Sequence, residues 1–190
     1  MGSTTSLLRQ QMLQQRLQLS EAERAKSADA IMQTLLHLPP LKTQQHIAAY
    51  WSHQHEVDLS LLIAELWQAQ KNVYLPVLHP IHPRQLWFAP YDAYSKLTLN
   101  RYGIPEPIFS ANTLLAPWEL DVVLMPLVAF DKTHHRLGMG AGYYDRSFAW
   151  CRDYPNTTTL IGCAYQWQEV PQLDVQPWDI PLHLVITDAM

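Results

Sequence analysis

Apolar residues repeat at helical spacing through the first part of the chain, beginning with a leucine stripe from Leu8 to Leu17. Ser20 and Glu23 then match the S-x-x-E capping box, in which each side chain satisfies a backbone donor at a helix start. The helical spacing resumes after this box, and Pro39 and Pro40 are expected to end it. The pattern predicts a helical segment over residues 1–40, either a hairpin or one helix bent near Ser20.

From residue 46 onward, short apolar strands alternate with helices. We predict strands at 47–51, 72–75, 86–89, 122–125, 160–164 and 184–186, and helices at 58–70 and 142–152. The run 122–125 is the clearest buried strand because it offers no polar residue to either face. The alternation predicts an α/β fold, a single domain over 1–190 built as a three-layer sandwich. Its helical N-terminus would pack on a largely parallel or mixed central sheet.

Two local expectations follow from this α/β pattern. Pro76 is expected to close the strand at 72–75, because proline cannot donate to a sheet. Ligands bind open α/β sheets beyond the carboxyl ends of the strands. The loops after Trp51, Pro126 and Ala164 are therefore the predicted place for a site.

Composition narrows the classes of protein that the pattern allows. There are 13 Lys and Arg against 17 Asp and Glu, a net charge of -4, and only 16% charged residues. This argues against a broad basic face for nucleic acid or an anionic membrane. The longest apolar stretch, 122–130, is too short to span a bilayer. Cys151 and Cys163 fit no metal or redox spacing, so we expect reduced core thiols, a cytoplasmic protein and, without an apolar heptad, a monomer.

The densest chemical signal is the segment RLGMGAGYYDR at residues 136–146. Gly138, Gly140 and Gly142 alternate in it, and such glycines let backbone N–H groups approach an anion closely. A helix following the loop would add its N-terminal dipole to the anion site. Arg136 and Arg146 bracket the loop and could contact phosphate.

Three further side chains of this segment suit a nucleotide or another planar ligand. Asp145 could hold Mg²⁺, which one or two carboxylates and phosphate oxygens serve well. Tyr143 and Tyr144 offer flat faces and hydroxyl groups. The segment lacks both the Walker A ending and the G-x-G-x-x-G spacing, so an ordinary glycine turn remains an alternative interpretation.

Three segments together resemble the 5-formyltetrahydrofolate cyclo-ligase family: MPLVAFD at 125–131, RLGMGAGYYDR at 136–146 and WDIPLHLVIT at 178–187. Other matching segments fall in the expected order, namely AYWSHQHEVD at 49–58, VYLPVL at 73–78, YGIPEP at 102–107 and IGCAYQWQ at 161–168. The resemblance covers almost the whole chain, and its most specific part is 136–146.

The resemblance implies a cytoplasmic ligase that acts on small molecules. It would use ATP and Mg²⁺ to cyclise 5-formyltetrahydrofolate to 5,10-methenyltetrahydrofolate through a phosphorylated formyl group, releasing ADP and phosphate. One alternative is a folate- or nucleotide-binding protein on the same fold without the chemistry. Another is a different enzyme on a related scaffold, such as a sugar-phosphate isomerase or CoA transferase. For such an enzyme, the sequence offers no evident acid/base carboxylate pair and no acyl-accepting glutamate in a suitable motif.

The resemblance also assigns roles to individual residues. It implies an ATP site formed by Arg9, Arg136, Leu137, Gly138, Met139, Gly140, Ala141, Gly142, Tyr143 and Tyr144. It implies a folate site formed by Trp51, Glu56, Met139, Gly140, Ala141, Gly142 and Tyr143. Arg136, Tyr143 and Asp145 would act in catalysis, and Asp145 and Asp179 would hold Mg²⁺.

One position departs from the family pattern. The family often has a basic residue one helical turn before Arg9, where this chain has Thr5. The N-terminal phosphate contact would then fall to Arg9 and to Arg16. Taken singly, such residues have ordinary interpretations too: Glu56 as a surface acid, Asp179 as a turn residue, Trp51 as core and Arg9 as a solvated helix charge.

Overall fold

The structure is a computed structural model that describes residues 4–79, 81–82 and 84–189. The helices are α1 (Thr4–Leu17), α2 (Glu21–His37), α3 (Pro39–Thr43), α4 (Ser60–Gln68) and α5 (Tyr143–Ser147), with 3-10 turns at Ala111–Thr113, Pro117–Glu119, Ala149–Arg152 and Gln166–Gln168. The strands are β1 (His46–Ala48), β2 (Asn72–Leu78), β3 (Leu86–Pro90), β4 (Leu97–Leu99), β5 (Pro105–Pro107), β6 (Val122–Pro126), β7 (Ala129–Asp131), β8 (Arg136–Leu137), β9 (Thr159–Ala164), β10 (Glu169–Val170) and β11 (Leu184–Thr187).

The N-terminal segment forms separate helices, and the predicted capping box is present. The Glu23 amide donates to Ser20 Oγ, while the Ser20 amide donates to Glu23 Oε2 over 2.9 Å. Pro39 does more than stop α2, because α3 begins at that residue. Proline is tolerated in the first turn of a helix, where its missing N–H has no helical partner in any case.

A six-stranded sheet in the order β11-β9-β6-β1-β2-β3 forms the centre of the molecule. Its neighbours are parallel except for β3, which runs antiparallel to β2 at one edge. In register, Ile47 of β1 lies between Val73 of β2 and Val122 of β6. The predicted α/β fold with a largely parallel central sheet is therefore confirmed.

Alternate residues of the strands build two hydrophobic clusters on the two faces of the sheet. On one face, Ile31 and Leu35 of α2 and Leu62 of α4 pack against sheet residues that include Ile47 and Ile161. On the other face, Phe148 packs in a cluster with residues of the sheet that include Val123, Met125, Leu160 and Val185. Burying each such side chain stabilises the fold by about 1.5–3 kcal/mol, so the sheet is a rigid base for the loops at its ends.

Two predicted strands have different ends in the structure. The first predicted strand, 47–51, is shorter, since β1 ends at Ala48. The second continues through Pro76 to Leu78, so the prediction that Pro76 closes it is wrong. Pro76 lies opposite Phe88, whose N–H and C=O pair instead with Leu115. The missing donor of Pro76 therefore falls in a non-hydrogen-bonded pair, where a strand tolerates proline.

The predicted helix at 142–152 is also divided. α5 has five residues, and Phe148 (φ -108°, ψ 17°) separates it from the 3-10 turn at Ala149–Arg152. Phe148 is fully buried and its ring lies 6.0 Å from that of Phe88, so tertiary packing interrupts the helix. A helix this short adds little macrodipole to the glycine loop.

Both cysteine thiols are free and buried, Cys151 beside α5 and Cys163 in β9. Among the described residues, we find no helix with both the length and the apolar character needed to cross a membrane.

Candidate active site

A cavity of about 780 Å³ lies at the carboxyl ends of β1 and β6. The chain moves from β1 to β2 in one direction, whereas β6 pairs with β1 on its other side, so this is the point where the strand order reverses. Open α/β sheets bind ligands at such points. Tyr50 and Trp51 follow β1 in the cavity wall, and Leu127 and Val128 follow β6.

The loops after β1 and β6 thus line the cavity as predicted, but the loop directly after Ala164 does not. A later segment, 172–179, reaches the cavity in its place. The structure also brings together every residue that the family resemblance assigned to a site. They are Arg9, Trp51, Glu56, Arg136, Leu137, Gly138, Met139, Gly140, Ala141, Gly142, Tyr143, Tyr144, Asp145 and Asp179.

The glycine loop follows the β7–β8 hairpin and is held by α1. Gly140 (φ 96°) and Gly142 (φ 65°) have backbone conformations that side-chain-bearing residues rarely adopt. The Arg9 Nε donates to Gly138 O over 2.8 Å, and a Cβ on Gly140 would lie 3.5 Å from Arg9 Cζ. The loop therefore needs glycine at Gly140 for its backbone conformation, whereas the guanidinium of Arg9 lies at ordinary contact distance and would leave room for a Cβ.

Arg136 and Asp145 form an ion pair at the other side of this loop. Arg136 Nη2 lies 2.7 Å from Asp145 Oδ1, and its Nη1 donates to the carbonyl of Ile180 over 2.5 Å. The Ile180 amide in turn donates to Asp145 Oδ1 over 3.2 Å. This network brings the Asp179–Ile180 peptide against the glycine loop, although the two are distant in sequence.

Asp145 and Asp179 are the carboxylates that could hold a divalent cation here. Asp179 Oδ2 accepts a hydrogen bond from the Gln176 amide over 2.8 Å, and both side chains line the cavity. Within the described part of the chain, no cluster of three or more His, Cys, Asp or Glu side chains could hold a metal alone. Two carboxylates still fit Mg²⁺, which keeps several waters and takes substrate phosphate oxygens as further ligands.

Glu56 and Trp51 form a different part of the cavity wall. The Glu56 side chain is 10% exposed, and Oε2 accepts a hydrogen bond from the His53 amide over 3.1 Å. Burial raises the pKa of Glu56 to about 7, opposed by the charge of Arg16 and by the His53 hydrogen bond. Trp51 is 38% exposed and meets Tyr91 edge to face, so it lies at the rim of the cavity and not in the core.

Arg16 does not reach the cavity, which corrects the expectation that it shares a phosphate contact with Arg9. It is 1% exposed; its Nη2 lies 3.8 Å from Glu56 Oε1. Arg146, which was expected to contact phosphate, does line the cavity. Its guanidinium donates to the carbonyls of Arg84 and Ala141.

The two loop tyrosines have different surroundings. Tyr144 stacks on Phe148 with an angle of 12° between the rings, and burial raises its pKa well above the usual value. The Tyr143 hydroxyl contacts Arg101 and lies 3.0 Å from the Tyr102 hydroxyl. Sequence reasoning assigned no role to Arg101 or Tyr102; the YGIPEP segment was the available signal.

Comparison with known proteins identifies one family. The model of the 5-formyltetrahydrofolate cyclo-ligase family matches residues 2–188. A 5-formyltetrahydrofolate cyclo-ligase from Haemophilus influenzae is 38% identical over 168 residues, 88% of each chain. The Escherichia coli protein of the same name is 38% identical over 176 residues, 93% of this chain and 96% of its own.

Solved structures give the same result. The 5,10-methenyltetrahydrofolate synthetase of Aquifex aeolicus has a TM-score of 0.81 at 30% identity, covering 97% of this chain and 89% of its own. That of Mycoplasma pneumoniae has a TM-score of 0.73 at 29% identity, covering 97% and 99%. Sequence and fold agree over nearly the whole length, and the chain belongs to the 5-formyltetrahydrofolate cyclo-ligase family.

Proposed function

We propose that the protein cyclises 5-formyltetrahydrofolate to 5,10-methenyltetrahydrofolate with ATP and Mg²⁺, releasing ADP and phosphate. The observation that carries the proposal is the shared cavity. One wall offers a glycine loop with Arg9, Asp145 and Asp179, while another offers Glu56 and Trp51. A phosphate donor and a folate could therefore meet in it.

The reaction needs activation of a poor leaving group. The formyl oxygen leaves badly, and the N5 lone pair deactivates the formyl carbon. Transfer of the γ-phosphoryl group from ATP to the formyl oxygen gives an imidate phosphate and ADP. N10 of the same folate then attacks the formyl carbon, its proton is released, and the C–O bond breaks to free phosphate. Because N10 belongs to the same molecule, proximity supplies part of the rate.

On the phosphate side, the protein's residues bind and orient ATP. Arg9, from α1, lies against the glycine loop and would contact the phosphates, as would the backbone N–H groups of Gly138–Gly142. Asp145 and Asp179 would hold Mg²⁺, which when bound offsets charge on the phosphates. Arg136 keeps Asp145 in place through their ion pair.

On the folate side, Glu56 and Trp51 would bind the pterin. The Glu56 carboxylate can accept hydrogen bonds from pterin N–H groups, and Trp51 can pack on a ring. Both follow β1, so the rigid sheet fixes where the formyl group lies relative to the glycine loop. Together with Tyr143, the walls would exclude water that could hydrolyse the imidate phosphate.

A direct assay tests the proposal. Purified protein is mixed with 5-formyltetrahydrofolate, ATP and Mg²⁺, and the near-ultraviolet absorbance of the methenyl product is followed. We expect product only when all three are present, and one ADP per product. Folate binding without product at micromolar enzyme would refute the proposal. It would favour the non-catalytic alternative, for which the uncharged Thr5 is the one sequence argument.

The metal role of Asp145 has its own test. Asp145→Asn is expected to lower kcat by about a hundredfold or more, because charge neutralisation on the phosphates weakens. A metal ligand also predicts that raising Mg²⁺ well above the wild-type requirement restores part of the activity. Circular dichroism and thermal melting check that the variant is folded. Activity that stays low at every Mg²⁺ concentration would show that Asp145 acts only through Arg136.

A further inference from the structure

Arg16 is a charged residue of α1 whose side chain is buried, whereas the other described residues of that helix are partly or fully exposed. It is 1% exposed, and it is the only buried residue of that helix within the described chain. Its Nε donates to the carbonyl of Gln54 over 2.8 Å, and its Nη1 donates to that of Leu127 over 3.3 Å. The two carbonyls belong to the loops after β1 and β6, which form the cavity wall.

The remaining guanidinium nitrogen of Arg16, Nη2, indicates a role beyond anchoring α1. Nη2 is buried and has no hydrogen-bond partner among the described residues, yet it lies 3.8 Å from Glu56 Oε1. Leaving a buried guanidinium nitrogen incompletely paired costs free energy, so anchoring alone does not explain it. The other Glu56 oxygen accepts a hydrogen bond from the His53 amide, so the carboxylate lies between that amide and the Arg16 guanidinium.

We propose that Arg16 is a positioning residue for the folate end of the site. From α1 its charge favours the ionised form of the Glu56 carboxylate, which lines the cavity and can accept hydrogen bonds from the pterin N–H groups. This inference rests on the proposed function for the role of Glu56 in folate binding. The contact between the Arg16 and Glu56 side chains does not depend on it, because the structure shows that contact directly.

Arg16 is the positively charged side chain that acts on Glu56. Two tyrosines also face Glu56, namely Tyr50 after β1 and Tyr144 of α5. Burial raises the pKa of both hydroxyl groups. Burial raises the pKa of Glu56 as well, and Arg16 is the principal group that opposes this. The His55 ring contacts the backbone of Arg16, with Nδ1 3.4 Å from its carbonyl oxygen.

The kinetic test compares wild type with Arg16→Gln across pH. Without the arginine, the pKa of Glu56 should rise by about one unit or more, and binding to the carboxylate should weaken accordingly. We expect KM for 5-formyltetrahydrofolate to rise about tenfold at pH 6 relative to wild type, with the ratio falling toward one above pH 9. KM for ATP should stay within about twofold, since Arg16 lies outside the cavity.

Two further variants keep this test from measuring folding alone. Arg16→Lys retains a charge but cannot span both carbonyls, so it should restore the wild-type pH midpoint with a KM still above wild type. Arg24→Gln is the matched control, because Arg24 on α2 also has a buried nitrogen without a partner but is not paired with Glu56. It should leave KM for both substrates unchanged.

A second readout needs no turnover. In protein labelled with ¹³C at the glutamate carboxyls, the Glu56 signal, assigned by its loss in Glu56→Gln, should titrate near pH 7 in wild type. In Arg16→Gln its midpoint should lie about one unit higher or more. An unchanged midpoint, or a KM ratio independent of pH, would overturn the inference. A shifted midpoint in a protein that forms no methenyl product would leave the Arg16–Glu56 contact standing and reject the proposed function.

Discussion

At the scale of single residues, the site combines groups whose protonation and orientation are set by burial. Glu56 has a pKa near 7 because its carboxylate has lost most of its water, and Arg16 compensates only in part. Asp145 is instead held by Arg136 and the Ile180 amide at the cavity surface. The folate end is therefore expected to respond to pH near neutrality.

Glu56 should also make the stability of the protein depend on pH. Its pKa is raised from 4.5 to about 7 on folding, so its stabilising contribution is complete below pH 4.5 and is lost as pH rises through 7. That shift corresponds to a loss on the order of 3 kcal/mol between these pH values. Urea unfolding at pH 5 and pH 8 measures the free energy of unfolding at each pH. We expect most of this loss between the two values in wild type and not in Glu56→Gln.

The exposed Glu65 of α4 provides the control for that measurement. Glu65→Gln should follow the wild-type stability curve, because the Glu65 carboxylate keeps its contact with water in the folded protein. If Glu56→Gln loses as much stability between pH 5 and pH 8 as wild type does, the carboxylate is not desolvated as described.

Residue roles were only partly predictable from the sequence. That the glycines, the tyrosines and Asp145 of the 136–146 segment lie together in the cavity wall was predictable because their motif is local. The pairing of Arg16 with Glu56 could not, because a charged residue on a helix is usually solvated and nothing local shows that Gln54 and Leu127 enclose it. The contact depends on how α1 crosses two distant loops.

At the scale of elements, α1 carries the contacts that connect the N-terminus to the cavity. Thr5 and Arg9 lie one helical turn apart, and both line it. A lysine at Thr5 would place a second cation near the phosphates. For a partly exposed contact we expect Thr5→Lys to lower KM for ATP about two- to fivefold, with a smaller effect at high salt. Steady-state kinetics at two ionic strengths would measure it.

The outward face of α1 supplies the matched control. Gln14 lies there among Gln10, Gln11, Gln15 and Gln18, in a shallow depression away from the cavity. Gln14→Lys adds the same charge to the same helix and should leave KM for ATP unchanged. Equal effects of the two lysines would indicate general attraction of ATP, and no effect of Thr5→Lys would mean that other groups already make the phosphate contact.

Element boundaries show where sequence patterns lose information. Helices α2 and α4 and the strands of the central sheet were predictable because apolar spacing records which face is buried. The split of 142–152 into α5 and a 3-10 turn was not, because it results from Phe148 packing against Phe88. Likewise, only the pairing of Phe88 with Leu115 shows why β2 can pass through Pro76.

At the scale of the whole molecule, stability is unevenly distributed. The central sheet is buried on both faces, whereas α1 leaves Leu7 54% and Leu17 51% exposed and is attached through Arg9 and Arg16. Elements with few buried apolar contacts open more readily than core strands. The cavity thus has one wall that is more easily displaced than the others.

Hydrogen exchange should reveal this difference. In the free protein, amides of α1 should exchange faster than those of β6 and β9, and a non-hydrolysable ATP analogue with Mg²⁺ and 5-formyltetrahydrofolate should slow them. The reference is α2, whose Ile31 and Leu35 are fully buried and whose exchange should not change. Protection of α1 equal to that of β6 without ligands would contradict this description.

The two buried thiols have a practical consequence. Burial raises the pKa of Cys151 to about 11 and that of Cys163 to about 12, so neither forms the thiolate that alkylating reagents attack near neutral pH. A cysteine introduced at Gln14 would then be the one readily labelled position on the chain. A fluorophore attached there would turn α1 into an optical reporter, following substrate arrival in real time without altering any residue of the cavity.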